Sequence, residues 1–348
     1  MHLLLTGGAG FIGSNFAKFV LRHRPEWSVT NLDSLSYSGN LENLRDIEKD
    51  PRYSFVKGDV CDASVVQPLV EKADAVVHMA AESHVDRSIL DSRPFVVSNT
   101  LGTQTILDAC RKTKRGDSAW PGRLLYVSTD EVYGSLPLDR PEIRFQESTP
   151  LEPNSPYAAS KAGGDLLVRA YCHTFGLNAV ITRCSNNFGP YQFPEKVIPL
   201  FVTNLLEGAQ VPLYGDGLNV RDWIHVDDHC EAIVTVLEKG RSGEVYNVGG
   251  DNERSNLELT HMILKLMGKG KEMIRYVPDR LGHDRRYAID GTKIAQELGW
   301  RPTRSAWPDA LASTVDWYRG NPQWWKRVKS GEYREYYQRQ YGGAPAGR

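Results

Sequence analysis

Leu3-Leu4-Leu5-Thr6-Gly7-Gly8-Ala9-Gly10-Phe11-Ile12-Gly13 is the stretch whose reading decides the fold. An apolar run of strand character breaks straight into glycines spaced Gly7-x-x-Gly10-x-x-Gly13, and a helix is expected to open at their end. Only glycine lets backbone come this close to a pyrophosphate, at a helix amino terminus whose amides and dipole attract anions. Asp33 ends a second apolar run, twenty residues beyond Gly13, where an acid would meet the ribose hydroxyls of a dinucleotide. A carboxylate there repels a 2′-phosphate, so the pattern favours NAD over NADP. The plainer alternative, a glycine turn with a surface aspartate, fits the strand context and the spacing less well.

Working outward, short apolar runs recur at residues 3–6, 29–33, 53–57, 75–78, 124–128 and 179–182, with amphipathic segments between them. That alternation predicts an α/β fold with a doubly wound parallel sheet of the Rossmann type. Asp59-Val60 and Ala80-Ala81 end two of the strands and are candidates to border adenine and ribose, against the alternative of an ordinary turn acid and small packing residues. After Thr182 the rhythm changes to loops rich in Gly, Pro and aromatic residues, read as a smaller α+β substrate-binding lobe. The expected division is 1–183 for the dinucleotide domain and 184–348 mainly for the substrate lobe. Segments near 218–249 and 284–301 are expected to return to the large domain, so the lobes interleave. The carboxyl end, from Trp324-Trp325 through Tyr333, Tyr336, Tyr337 and Tyr341, is dense in aromatics and is expected to pack on the body.

Composition excludes several classes. A chain of 348 residues with 41% hydrophobic and 24% charged residues is ordinary globular material, and a net charge of -1 makes no electrostatic case for nucleic acid or an acidic membrane. Its five cysteines, Cys61, Cys110, Cys172, Cys184 and Cys230, are odd in number, scattered, and without metal-ligand spacing, which points to a reducing cytoplasm and no metal. The amino terminus has no basic stretch and too short an apolar run for a signal peptide or membrane helix.

The chemistry is carried by Ser128-Thr129-Asp130-Glu131-Val132-Tyr133-Gly134 and, beyond a proline-rich loop, by Tyr157-Ala158-Ala159-Ser160-Lys161. The run at 123–127 reads as a strand, so Thr129, Asp130 and Glu131 emerge at its carboxyl end, where open α/β sheets put their ligand crevice. Tyr157 and Lys161, four apart on a helix, share a face. An ammonium beside the phenol lowers its pKa and makes it a base for a hydroxyl proton. Tyr-x-x-x-Lys alone is a common accident; joined to the glycine site it suggests a dehydrogenase arrangement. The two carboxylates add what simple oxidation does not need. Oxidising a sugar at C4 acidifies the C5 hydrogen, so Glu131 could remove that proton while Asp130 protonates the departing C6 hydroxyl, with Thr129 on the C4 oxygen. The alternative for Asp130-Glu131 is an acid pair in a loop or cap.

At these residues the chain resembles the dTDP-glucose 4,6-dehydratases, extended short-chain dehydrogenase/reductase enzymes. Matching segments include Ala80-Ala81-Glu82-Ser83-His84-Val85-Asp86-Arg87-Ser88, Cys184-Ser185-Asn186-Asn187-Phe188-Gly189-Pro190-Tyr191, Phe193-Pro194-Glu195-Lys196, Arg221-Asp222-Trp223 and Gly282-His283-Asp284-Arg285-Arg286-Tyr287. The resemblance implies Asp130 as proton donor, Glu131 as proton acceptor and Tyr157 as the base on the C4 hydroxyl, with Lys161 holding the ribose. It implies a cofactor set of Gly7, Gly10, Phe11, Ile12, Gly13, Asp33, Ser34, Leu35, Ser36, Asp59, Val60, Ala80, Ala81, Ser83 and Ser98, together with Tyr157, Lys161, Cys184 and Asn187. For the sugar nucleotide it implies Ser83, Thr129 and Asn186 on the sugar and Lys196, Arg221, Asn256, Arg280 and His283 on the diphosphate. Val197 joins that set, Pro212 and Tyr214 form the base pocket, and Tyr341 reaches back to the diphosphate. A homodimer built from helices starting near Asn99 and Pro156 is also implied.

One departure is Leu281, where the family places proline; freeing φ there is expected to loosen the loop carrying Arg280 and His283. Two other readings stay open from the residues. One is a dehydratase or epimerase of a UDP or GDP sugar. The other is a protein that binds NAD without turning anything over.

Overall fold

The computed structural model describes residues 1–116 and 118–330. The apolar runs pair as one sheet of seven parallel strands in the order Val245–Val248, Ala179–Cys184, Arg123–Thr129, Ala75–His78, His2–Thr6, Ser28–Asp33 and Tyr53–Lys57. The central strands are apolar on both sides because helices cover both faces. Leu3 and Leu5 point into a core with Phe16 and Val20 of helix Phe11–His23 and Ile233 of helix Val226–Lys239. Leu4, between them, faces the opposite core, which holds Val66 of helix Ala63–Lys72, Ile106 of helix Gly102–Lys112 and Val168 of helix Pro156–Phe175. This is the doubly wound Rossmann fold that the alternation predicts. The strand order reverses between His2–Thr6 and Ala75–His78, and in register Thr6 lies beside His78 and Thr129 beside Cys184. A crevice therefore runs along the carboxyl ends of the strands.

A smaller lobe is built on helices Val197–Leu206, Asn256–Met267 and Asp309–Gly320, whose core includes Phe188, Ile198, Phe201, Ile263, Leu311 and Tyr318. Trp324 and Trp325 pack into that core, whereas Tyr333, Tyr336, Tyr337 and Tyr341 lie outside the described residues. The chain crosses back to the large sheet with helix Val226–Lys239 and strand Val245–Val248, and again with helix Thr292–Leu298, whose Ile294 and Leu298 enter the first core.

Two segments sit differently from their sequence reading. Strand Val220–His225, inside the stretch expected to return to the large sheet, instead joins a three-stranded sheet with Asn186–Phe188 and Glu253–Ser255. Asp222 holds it there by accepting the amides of Gly250 at 2.9 Å and Asn252 at 2.6 Å. The helical segment expected to start near Asn99 starts earlier, with Arg93–Phe95, and runs through a π-helical stretch, Val96–Leu101, into Gly102–Lys112. Pro94 in the first turn suits a helix start. Asn99 is buried inside, bonding both backbone groups of Glu82 and the Ser160 hydroxyl.

Among the described residues no helix is long and apolar enough to cross a membrane, all five cysteines are free, and no group of three His, Cys, Asp or Glu could hold a metal ion.

Candidate active site

Gly7 has φ +77°, and a Cβ on it would lie 2.7 Å from the Ala80 Cα. A Cβ on Gly13 would lie 2.2 Å from the Gly7 carbonyl oxygen. The turn thus fits only without side chains. Helix Phe11–His23 has no side chain capping its amino terminus, so its first amides face the crevice. One cavity is lined by Gly7, Gly10, Phe11, Ile12, Gly13, Asp33, Ser34, Ser36, Asp59, Val60, Ala80, Ala81, Ser83 and Ser98, and at its far end by Thr129, Glu131, Tyr157, Lys161, Cys184, Asn186 and Asn187. Leu35 is the exception in the expected cofactor set. It has φ +56° and packs against the first core, while its amide donates to Asp33 at 2.8 Å. The other Asp33 oxygen accepts from Ala9 N at 2.8 Å, so this acid braces the glycine turn besides lining the cavity. A glycine cradle, an uncapped helix start and an acid ending the second strand fit a dinucleotide.

At the far end, strand Arg123–Thr129 delivers a short 3-10 helix, Asp130–Tyr133, capped by Thr129, whose hydroxyl accepts from Glu131 N at 3.3 Å. Glu131 keeps surface toward the cavity. Asp130 lies behind it, 1% exposed, with Oδ1 taking the Thr129 hydroxyl at 3.4 Å and Oδ2 buried without a partner. Ser155 caps helix Pro156–Phe175 through the Ala158 amide, which aims Tyr157 and Lys161 at the same end. Lys161 Nζ donates to the Val127 carbonyl at 2.7 Å and stands 4.2 Å over the Tyr126 ring.

A second cavity adjoins the first, sharing Glu131, Asn186, Asn187, Gln192, Glu195 and Lys196 with it. Val197, Pro212, Tyr214, Arg221, Asn256, Arg280 and His283 line it, and Tyr341 lies outside the described residues. Lys196 Nζ donates to the Ser83 carbonyl at 2.7 Å, Arg221 lies 4.1 Å over the Tyr287 ring, and Tyr214 donates to Asp86 at 3.1 Å. Leu281 is exposed and lines neither cavity. Its loop is held on either side by the 2.6 Å pairing of His283 with Asp279 and by Asp284, which accepts from Asn154 at 2.7 Å.

Burial, then Glu131 and Asp222, pushes the Asp130 carboxyl well above its ordinary range. Glu131 is also raised by burial, but Arg280, Lys196 and Arg221 oppose the rise. Burial and then Glu131 push the Tyr157 phenol well up, and burial pulls Lys161 down to about 8. The lysine is not among the main influences on the phenol, which differs from the direct tuning read from their spacing. Its ammonium is spent on the Val127 carbonyl and the Tyr126 face.

Residues 4–307 match the family model described as GDP-mannose 4,6 dehydratase. The chain is 53% identical to the dTDP-glucose 4,6-dehydratase of Actinoplanes sp. over 330 residues, covering 93% of this chain and 100% of that protein. The chain belongs to the sugar-nucleotide 4,6-dehydratases. Its fold agrees with that family: the crystal structure of DesIV, a dTDP-glucose 4,6-dehydratase from Streptomyces venezuelae with NAD and TYD bound, superposes with a TM-score of 0.90. DesIV is 53% identical, with 94% of this chain and 100% of that one covered. The corresponding enzyme of Bacillus anthracis, in complex with NAD, gives a TM-score of 0.86 at 49% identity, with 94% of this chain and 100% of that one covered.

This 4,6-dehydratase family member also brings to its cavities residues that the sequence reading left unassigned. Glu82, Asp86, Glu195 and Tyr287 sit inside the segments that carried the resemblance, so that signal was present. Leu200 and Phe201 had none, because a cavity wall on one side of helix Val197–Leu206 looks like core in sequence, and Gln192 falls between two of the matching segments.

Proposed function

We propose that the protein is a dTDP-glucose 4,6-dehydratase, a hydro-lyase that converts dTDP-glucose to dTDP-4-keto-6-deoxyglucose and water with NAD as cofactor. The observation that carries this reading is Glu131, which lines both the dinucleotide cavity and the cationic cavity beside it, next to Tyr157. NAD, when bound, supplies the acceptor for the C4 hydrogen and the donor that returns it at C6.

The protein groups do the rest. Tyr157 takes the C4 hydroxyl proton once it is ionised, which the positive charge of bound NAD would favour against the rise that burial and Glu131 impose on the phenol, and Thr129 binds the same oxygen. Glu131 removes the C5 proton of the ketone. Its raised pKa makes it a stronger base than an exposed glutamate, and the three cations near it keep it within reach of ionisation. Burial and two neighbouring carboxylates raise the Asp130 carboxyl, which suits a donor to the leaving C6 hydroxyl, and its buried Oδ2 has no partner in the protein. Lys196, Arg221, Arg280 and His283 hold the diphosphate, where cations and forked donors are wanted. Ser83 and Asn186 hold the sugar, and Pro212 and Tyr214 the base.

In this reading residues 1–183, with the returning segments, bind NAD, and 184–348 mainly bind the sugar nucleotide. The protein works as a homodimer in the cytoplasm, a compartment that suits five free cysteines.

Turnover of dTDP-glucose in heavy water, followed by mass spectrometry and proton NMR, tests the function. Loss of one water, a solvent deuteron at C5 and a new C6 methyl are expected. An epimer of unchanged composition, or turnover of UDP- or GDP-glucose in preference to dTDP-glucose, would sink it.

A further inference from the structure

The loop after strand Ser28–Asp33 lines the dinucleotide cavity with Ser34, Ser36, Ser38 and Gly39, and from its middle Tyr37 reaches away to a different part of the chain. Its hydroxyl donates to Glu195 Oε1 at 2.9 Å. Arg87, from helix Val85–Leu90, lays its guanidinium 4.0 Å over the Tyr37 ring and donates through Nε to Glu195 Oε2 at 3.1 Å. Phe193 meets the same ring edge-on at 5.7 Å. Both oxygens of one carboxylate are therefore taken, each by a different segment of the cofactor-binding side.

Glu195 itself sits on the opposite wall. Its side chain is 1% exposed, it lines both cavities, and the next residue is Lys196 in the sugar-nucleotide cavity. A carboxylate this deep is tolerated when it is paired and hydrogen-bonded, and a guanidinium with a phenol meets that need. Burial, then Glu195 and Glu82, raises the Tyr37 phenol well above its ordinary value, so it stays a donor. The network uses none of the reacting groups. What it joins is the loop beside Asp33, the segment after strand Ala75–His78, and the 192–196 connection that leads into helix Val197–Leu206.

We propose that Tyr37, Arg87 and Glu195 form a strap that retains NAD between turnovers, the cofactor leaving only when the Tyr37–Glu195 hydrogen bond opens. The strap rests on the NAD-dependent reading above, in which the cofactor ends each cycle in the state in which it began and has no need to exchange. The three are positioning residues: they touch the cavity walls and each other, and they act through the loops they hold.

The test is release of bound NAD from the parent, Tyr37→Phe and Tyr37→Ala proteins, followed as exchange against excess deuterium-labelled NAD by mass spectrometry, with thermal unfolding measured alongside. Tyr37→Phe keeps the ring between Arg87 and Phe193 and loses only the hydroxyl; release is expected to quicken roughly tenfold. Tyr37→Ala should be faster still, and adding free NAD should raise the turnover of both variants but not of the parent. Release at the parent rate from variants that carry NAD overturns the strap. So does faster release matched by an equal acceleration of global unfolding. A parent that carries no NAD overturns the functional reading, and the strap with it.

Discussion

Asp130 and Glu131 are adjacent in the chain and opposite in setting. Glu131 lines both cavities with three cations opposing the rise that burial imposes on it, whereas Asp130 lines neither and is raised further by Glu131 and Asp222, with only Arg221 and the Thr129 hydrogen bond opposing. That asymmetry supports an acid and a base side by side. Asp130→Asn and Glu131→Gln are each expected to lower turnover about 10²–10⁴-fold with NAD still bound, read by steady-state kinetics and by the nucleotide released on denaturation. Asp130→Asn should also stabilise the fold. The folded Asp130 carboxyl keeps a proton that the unfolded chain releases above about 3.9, so in the parent this group makes stability fall as pH rises. The asparagine does not titrate, and its melting-temperature advantage should widen as the pH rises above about 4. An advantage that stays constant or narrows with rising pH would show that the folded Asp130 carboxyl is not raised.

At the scale of elements, the site depends on how closely helix Pro156–Phe175 lies on strand Arg123–Thr129. Gly164 marks that approach: a Cβ there would stand 2.2 Å from the Tyr126 hydroxyl oxygen and 2.6 Å from its Cζ. Tyr126 is buried, donates to the Lys161 carbonyl at 3.3 Å, and carries the Lys161 ammonium over its ring. A methyl group at 164 must displace either the ring or the helix. Gly164→Ala is therefore expected to destabilise the protein by about 1–3 kcal/mol in urea unfolding and to reduce turnover by shifting Tyr157 and Lys161. Unchanged values for both would mean that the contact relaxes without moving the catalytic helix.

Across the whole molecule, Val96, Val97 and Leu101 are exposed along one helical segment, with Leu90 exposed at the end of the preceding helix Val85–Leu90, and Leu166 on the neighbouring helix Pro156–Phe175 is 56% exposed. Large apolar side chains gathered on two adjacent helices suit a partner, and a second copy of the chain is the occupant proposed above. Leu166→Arg should then sediment as one chain where the parent sediments as two; a parent that already sediments as one chain removes the dimer. The doubly wound parallel sheet and the glycine turn were legible because a parallel sheet buried on both faces and a strand–turn–helix phosphate site both leave local patterns, whereas the order of its seven strands was not. Thr129, Glu131, Tyr157 and Lys161 were legible for a similar reason, since each pair is set by the end of one strand or one turn of one helix. What no local pattern could convey is which distant segments meet. Only the tertiary structure turned Leu35 into the core, put strand Val220–His225 in the small sheet, set Asp130 behind Glu131, gave Lys161 the Val127 carbonyl, and brought Tyr37, Arg87 and Glu195 to one carboxylate. Periodicity and spacing act within an element, whereas burial, charge pairing and the pKa values that follow from them arise between elements far apart in the chain.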